Sequence, residues 1–249
     1  MAIQDISRSP SLPFDPQLEI RELIMFMILK SKNLMELRFD PSGIVVQVPN
    51  AAQQCSDQFA SSMMDAEELL YLAASLAAFP WDERAIVVEI GTYVGTTAVF
   101  MAKIFEVLGR RVSILSIDPF ERVQADSLNP QGIYGAYVHN ITSYGVASIC
   151  LPLAAFSQDA APVVPATIGV LIIDGGHHYS IVRQDLELYA PKVLPKGLIF
   201  LDDYDLAFPG VVRAVDDYFF KDGPFRILHK SFATTANPRR ANCVIAQRL

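Results

Sequence analysis

The stretch VVEIGTYVGTTA, Val87 to Ala98, runs an apolar strand pattern into a glutamate, a glycine and, four residues later, a second glycine. Glycine at the end of a buried strand lets the backbone turn tightly and lets a ligand approach where a Cβ would collide. The spacing is E-x-G-x-x-x-G through Glu89, Gly91 and Gly95. It is neither the dinucleotide fingerprint G-x-G-x-x-G nor the phosphate loop G-x-x-x-x-G-K-[ST], and no lysine follows. The loop therefore reads as a nucleoside cradle that holds no pyrophosphate, or as a glycine-rich turn with no ligand.

Outward from this loop the chain alternates strand and helix patterns. The segments are strand AIVVEI (85–90), helix TTAVFMAKIFEVLG (96–109), strand RVSILSID (111–118), strand IGVLIID (168–174), helix YSIVRQDLELYAPKV (179–193) and strand GLIFLDD (197–203). Continuous apolar strands alternating with helices predict an α/β fold whose mainly parallel sheet is covered on both faces. A helix at GVVRAVDDYFF (210–220) and two antiparallel strands, FRILHKSF and NCVIAQRL, follow. Upstream, Asp65 caps the helix AEELLYLAASLAAF (66–79), with Glu68 completing a capping box, and Pro80 stops it.

The first 60 residues read as an appendage, a lid or an oligomerisation element: a loose arm over 1–16, a helix over 18–37 (LEIRELIMFMILKSKNLMEL), and a turn and short strand in FDPSGIVVQVPN. That helix is apolar on more than one face, LIMFMIL (23–29) most of all, so it is buried in its own core or against a second copy. We expect a homo-oligomer on this ground. Residues 61–249 form the main domain.

With 249 residues and 51% hydrophobic content, one large core can be filled. A net charge of −7 without a basic stripe argues against a nucleic-acid partner. The three cysteines, Cys55, Cys150 and Cys243, are odd in number and far apart, and read as reduced core residues. LIMFMIL is far shorter than the roughly twenty residues of a membrane span, and no signal-peptide pattern opens the chain, so a cytoplasmic protein is expected.

The strand SILSID ends in Asp118, next to the glycine loop, where a carboxylate can take both ribose hydroxyls. LIIDGGHHYS (171–180) ends a strand in Asp174, two glycines and the adjacent His177 and His178, half of the four histidines of the chain. The next strand of the β-α-β unit ends in Asp202 and Asp203, on the same sheet edge. Three carboxylates there repel one another unless a cation is present, and oxygen-only donors favour Mg²⁺, then Mn²⁺ or Ca²⁺. Equally, Asp202 could cap the next turn, Asp203 be solvated and Asp174 hold the Gly-Gly loop.

The series VEIGTYVGTTAVFMA, SIDPF, LIIDGGHHY and GLIFLDDYDLAFPGVVRAVDDYF resembles the class I S-adenosylmethionine (SAM) methyltransferases, in particular the branch similar to macrocin and mycinamicin sugar O-methyltransferases. The resemblance covers roughly residues 60–225, in order as well as content. It implies a Rossmann-like fold with a seven-stranded sheet, and SAM bound by Glu89, Gly91, Thr92, Tyr93, Gly95, Asp118, Ser157 and Asp174. Phe156 and Gln158 accompany Ser157 where the adenine sits in this fold. It further implies Mg²⁺ on Asp174, Asp202 and Asp203, with His177 of the D-G-x-H motif as general base. Some relatives have glutamate where Asp202 stands.

His178 orients the loop or lines the acceptor pocket. Tyr179 and Tyr204 shape that pocket or pack at its rim, and Asn140 and Tyr144 are weaker candidates. The implied activity is O-methylation of a hydroxyl on a small molecule, a sugar or polyol group of a secondary metabolite. Two alternatives stay open: an iron-dependent hydroxylase using His177, His178 and a carboxylate, and a repurposed fold that binds the cofactor without transferring methyl.

Overall fold

The computed structural model describes residues 34–60, 64–121, 132–219, 223–232 and 241–249. The chain opens there on an antiparallel hairpin, β1 (Leu34–Arg38) and β2 (Val45–Pro49). Residues 34–37 were expected to finish a helix, and they form a strand instead. The turn between the strands explains it: Phe39 N donates to Ile44 O at 2.8 Å, Gly43 N donates to Phe39 O at 2.8 Å, and Gly43 sits at φ +72°. Once the chain doubles back, Leu34 to Arg38 pair with Pro49 to Val45, and this pairing overrides the helix propensity of Leu-Met-Glu-Leu. LIMFMIL and the rest of the expected helix lie outside the described residues.

Two helices follow, α1 (Asn50–Phe59) and α2 (Ala66–Ala78). The capping box at α2 is present: Glu68 N donates to Asp65 Oδ1 at 2.9 Å and Asp65 N donates to Glu68 Oε2 at 2.7 Å. The main domain then runs β3 (Ile86–Ile90), α3 (Thr96–Val107), β4 (Ile114–Asp118), α4 (Gly132–Ser143), β5 (Cys150–Ala154), the single turn α5 (Ser157–Ala160), β6 (Ile168–Ile173), α6 (Tyr179–Tyr189), β7 (Val193–Leu201), α7 (Pro209–Phe219), β8 (Phe225–Lys230) and β9 (Val244–Arg248). Helices α1 and α4 were not foreseen. Helix α6 ends before Pro191, which has no N–H to continue the ladder, and passes through a 3₁₀ turn into β7.

The seven-stranded sheet has the order β5-β4-β3-β6-β7-β9-β8. The strands from β5 to β7 are parallel, and β9 runs antiparallel between β7 and β8. After β3 the chain builds outward to β5 and then returns to place β6 on the other side of β3. That reversal leaves a crevice at the carboxyl ends of β3, β4 and β6, the position where open α/β sheets bind ligands.

Alternation along the strands splits the core in two. Val87, Ile114, Val170, Ile172, Leu198 and Phe200 point to the face covered by α2 and α3. Val88, Ile117, Leu171, Ile173, Ile199 and Leu201 point to the face covered by α6 and α7. Each central strand thus supplies both cores, which is why the sequence shows unbroken apolar runs. Phe39, Val46, Val48, Cys55 and Phe59 join the first cluster, so the described part of the first 60 residues shares the core of the main domain. Cys55, Cys150 and Cys243 are buried thiols, none of them in a disulfide. Among the described residues no helix is long and apolar enough to cross a membrane.

Candidate active site

A cleft of about 1090 Å³ occupies the crevice. Its floor is the loop after β3. Gly91 takes φ +87°, and a Cβ on it would lie 2.1 Å from the Asp174 carbonyl oxygen, so no other residue fits. Gly95 takes φ +78° at the start of α3, where a Cβ would meet the Tyr137 ring at 2.5 Å. Asn140 supports the loop from α4, its Nδ2 donating to Val94 O at 2.8 Å.

Asp118 ends β4 and borders the cleft. Its Oδ2 accepts from Tyr93 N at 2.9 Å and its Oδ1 from Phe120 N at 2.7 Å. Both donors have left-handed backbones, φ 50° and 53°. Such conformations cost a non-glycine residue roughly 1–3 kcal/mol, and charge-assisted hydrogen bonds to one carboxylate offset part of that. Each oxygen keeps a further lone pair for a ligand.

Of the other residues expected to bind cofactor, Gly91, Tyr93, Asp118, Ser157 and Asp174 line the cleft, with Phe156 and Gln158 beside Ser157. Glu89 and Thr92 lie beneath the loop, 1% and 4% exposed. Glu89 accepts from Ser116 Oγ at 2.9 Å, and burial pushes its carboxyl up to about 7. A layer under Ser157 went unseen in the sequence. Asp185 of α6 is buried there, its carboxyl raised to about 6 by burial, and Tyr189 donates its hydroxyl to Ser157 O at 2.6 Å.

Where β6 and β7 end, the cleft gathers further carboxylates. Asp174 follows β6, and Asp202 and Asp203 follow β7. Asp203 sits at φ 58°, another strained position, and its Oδ2 lies 2.7 Å from His177 Nε2. The imidazole packs on Phe208, ring centroids 4.1 Å apart. Asp202 is turned into the protein, 3% exposed, and its Oδ1 has no hydrogen-bond partner. Burial first, then the neighbouring carboxylates, holds the carboxyls of Asp174 and Asp202 well above the usual range. Asp203 is raised by burial, with His177 opposing the shift.

A fourth carboxylate, Glu68 of α2, also lines this end, pushed up to about 7 by burial. The sequence offered it only as a capping residue. Among the described residues no three His, Cys, Asp or Glu side chains stand in an arrangement able to hold a metal. In kind, however, the donors fit a hard cation: oxygen-only, mutually repelling and with one buried oxygen unpartnered. The glycine floor and Asp118 fit a nucleoside in the same sense.

Four expected pocket residues, His178, Tyr179, Tyr204 and Tyr144, stand elsewhere. His178 is exposed at the N-terminus of α6, where its carbonyl accepts from Ile181 N and Val182 N, and it is not part of the cleft wall. His177, its neighbour, does line the cleft. Tyr179 leans on α7, donating to Asp217 Oδ2 at 3.0 Å beneath the Arg213 guanidinium. Tyr204 is buried and donates to Asp216 Oδ1 at 2.7 Å. Tyr144 packs on Phe59, ring centroids 5.5 Å apart. In place of these, Met64, Asp205, Phe208 and Asn242 line the acidic end.

A family model described as a methyltransferase domain matches residues 88–204, just under half of the chain. Uncharacterized protein R132 of Acanthamoeba polyphaga mimivirus is 28% identical over 123 residues, 47% of this chain and 50% of that one, so the match spans half of that relative's length. Among solved structures, the O-methyltransferase NovP superposes with a TM-score of 0.61 at 18% identity, covering 91% of this chain and 98% of that one. An rRNA methylase from Streptococcus thermophilus gives 0.54 at 15% identity, over 73% and 96%. SMU.1697c from Streptococcus mutans, solved with SAH bound, gives 0.56 at 11% identity, over 72% and 96%. The chain has the Rossmann-like fold of class I methyltransferases, and the matched segment, which holds the glycine loop, Asp118, Asp174, His177, Asp202 and Asp203, supports SAM-dependent methylation.

Proposed function

We propose that this protein is a SAM-dependent O-methyltransferase that methylates a hydroxyl of a small molecule, a sugar or polyol group, with a hard divalent cation at the acidic end of the cleft. The observation that carries the reading is the pair of His177 and Asp203, 2.7 Å apart, on the wall of the cleft that Gly91 and Asp118 also shape. When bound, SAM supplies the electrophilic methyl, and the cation, Mg²⁺ first, makes a hydroxyl touching it more acidic.

The rest falls to the chain. Asp118, fixed by two backbone amides, would accept from the ribose hydroxyls of bound SAM. Asp174, Asp202 and Asp203 would hold the cation once drawn together from the positions they take here, where no three described acids stand in a metal-holding arrangement. Because Oδ2 of Asp203 engages His177 Nε2, the imidazole takes the hydroxyl proton at Nδ1, and Asp203 stabilises the imidazolium that results. Phe208 restrains the ring in that orientation. Holding the two reactants together in one cleft supplies the remaining acceleration. The described cleft wall is rich in carboxylates and carries no lysine or arginine, which favours a neutral or cationic small acceptor over RNA.

The test is transfer of labelled methyl from SAM to a panel of sugars, polyols and catechols, with products located by mass spectrometry. O-methylation that EDTA stops and Mg²⁺ restores is expected. Transfer indifferent to EDTA would remove the cation from the reading. SAH binding without transfer to any hydroxyl would leave a fold that keeps its cofactor and has lost the reaction.

A further inference from the structure

Asp203 keeps a left-handed backbone while presenting its carboxylate to His177, and something must hold it there. The backbone on its carboxyl side is tied to a distant part of the chain. Tyr204 N donates to Asn242 O at 2.6 Å. Asn242 Nδ2 donates to Asp205 Oδ2 at 3.0 Å, while Asp205 Oδ1 accepts from Ala207 N at 2.6 Å and Asp205 N donates back to Asp203 O at 2.9 Å. Asn242 is itself anchored to the start of α2: its N donates to Glu68 Oε1 at 3.2 Å, and Ala241 N donates to Glu67 Oε2 at 3.2 Å. The second Glu68 oxygen holds Asp65 N in the capping box. The chain of bonds therefore runs from a helix N-terminus, through a residue 174 positions away in sequence, to the loop that carries Asp203.

The geometry points to Asn242 as a positioning residue for the reaction, a clamp between α2 and the segment 203–207 that sets Asp203 against His177. This rests on the reading of that pair as the reacting end of the cleft. Asn242 suits the task because its backbone and side chain bond to different partners at once: its carbonyl takes Tyr204, its N–H goes to Glu68 and its amide goes to Asp205. Loss of the side-chain bond alone should leave the strand β9 and the cofactor floor intact. Groups that orient a reacting residue without touching substrate typically cost about 10- to 100-fold in activity when removed.

A reciprocal exchange tests it. Asn242→Asp sets two carboxylates face to face. In Asp205→Asn the Asn242 amide can turn its oxygen toward the new donor, so that variant keeps a bond. The double variant restores one donor and one acceptor in reversed order, and the amide oxygen introduced by Asp205→Asn can still accept from Ala207 N. Asn242→Asp should lose about 10- to 100-fold in kcat with SAH affinity within about twofold of the wild type, Asp205→Asn should lose far less, and the double variant should recover most of the loss. Hydrogen exchange gives a readout independent of activity: amides of Tyr204, Asp205 and Ala207 should lose protection in Asn242→Asp and regain it in the double, while the Gly91 to Gly95 loop stays unchanged.

Asn242→Asp with normal kcat and protection would overturn the inference. A loss in kcat that the double variant does not repair, with protection restored, would also overturn it, by making Asn242 a substrate contact. Exchange behaving as stated in a protein that methylates nothing would uphold the clamp as structure and defeat the reading of the site.

Discussion

The two ends of the cleft solve opposite problems. At the nucleoside end the wall and floor are tied to backbone groups: Asp118 holds two amides, Asn140 holds Val94 O and Tyr189 holds Ser157 O, while the Thr92 and Tyr137 hydroxyls and one Asp185 oxygen stay unpartnered beneath them. At the acidic end, carboxylates from β6, β7 and α2 crowd together, their charged forms disfavoured by burial and by one another, and one Asp202 oxygen is left without a partner. The first end is preorganised and should bind its ligand with little rearrangement. The second stores electrostatic free energy that only protons or a cation can release. One region is finished by its own backbone, and the other is finished by what it binds.

That contrast can be broken in order of expected size. The largest effect should come from chelation, with EDTA taking methyl transfer to background and Mg²⁺ restoring it, while calorimetric SAH binding stays nearly unchanged. Fe²⁺ alone restoring turnover, with oxygen consumption, would point to the hydroxylase instead. Next comes His177→Ala, for which we expect a loss of about 10² to 10⁴ in kcat, the usual range for a general base, and disappearance of the ascending limb of the kcat against pH profile. His178→Ala should cost far less, since its side chain stands off the cleft, and equal losses from both would defeat the assignment.

A smaller change is expected at the preorganised end. Asp118→Ala should weaken SAH binding by roughly 1–3 kcal/mol, the range for hydrogen bonds to a charged group, and its effect on kcat at saturating SAM should be slight. The smallest is a change in stability. Glu89 has its carboxyl raised from 4.5 to about 7 by burial, so the folded state holds this proton more tightly than the unfolded chain. The associated stabilisation is complete below about pH 4.5 and is lost as pH rises through about 7. Glu89→Gln should therefore melt like the wild type near pH 4.5 and several degrees higher at pH 8, on a scale of about 2–4 °C per kcal/mol for a chain of this size. A pH-independent difference between the two would show that the buried carboxyl does not titrate in this window.

Much of this contrast was legible in the sequence, and unevenly so. Strand ends advertise themselves: Gly91, Asp118, Asp174 and the pair Asp202 and Asp203 each follow an unbroken apolar run, and the sheet brought them to one edge as the β-α-β rule requires. Side-chain direction was less readable. Tyr179 and Tyr204 neighbour site residues in sequence yet turn onto α7 and its surroundings, because alternate positions on a strand exit or helix start face different ways. Glu89 and Thr92 belong to the loop motif but support it from below. Residues 34–37 have the composition of a helix, and only pairing with β2 decides otherwise. Asn242 and the second role of Glu68 could not be found from spacing at all, since their bond joins elements 174 positions apart and neither residue carries a motif.

The placement of β9 between β7 and β8 has a consequence for folding order. The nucleoside end is assembled from β3, β4 and the loops beside them, neighbours in sequence whose contacts close short chain segments. The acidic end cannot take its final form until β9 has inserted beside β7 and carried Asn242 to Glu68, the slow kind of event in which the entropy of a long loop is lost before any contact rewards it. During refolding, competence to bind SAH should therefore return before competence to turn over, and the interval between them would time the arrival of the last strand.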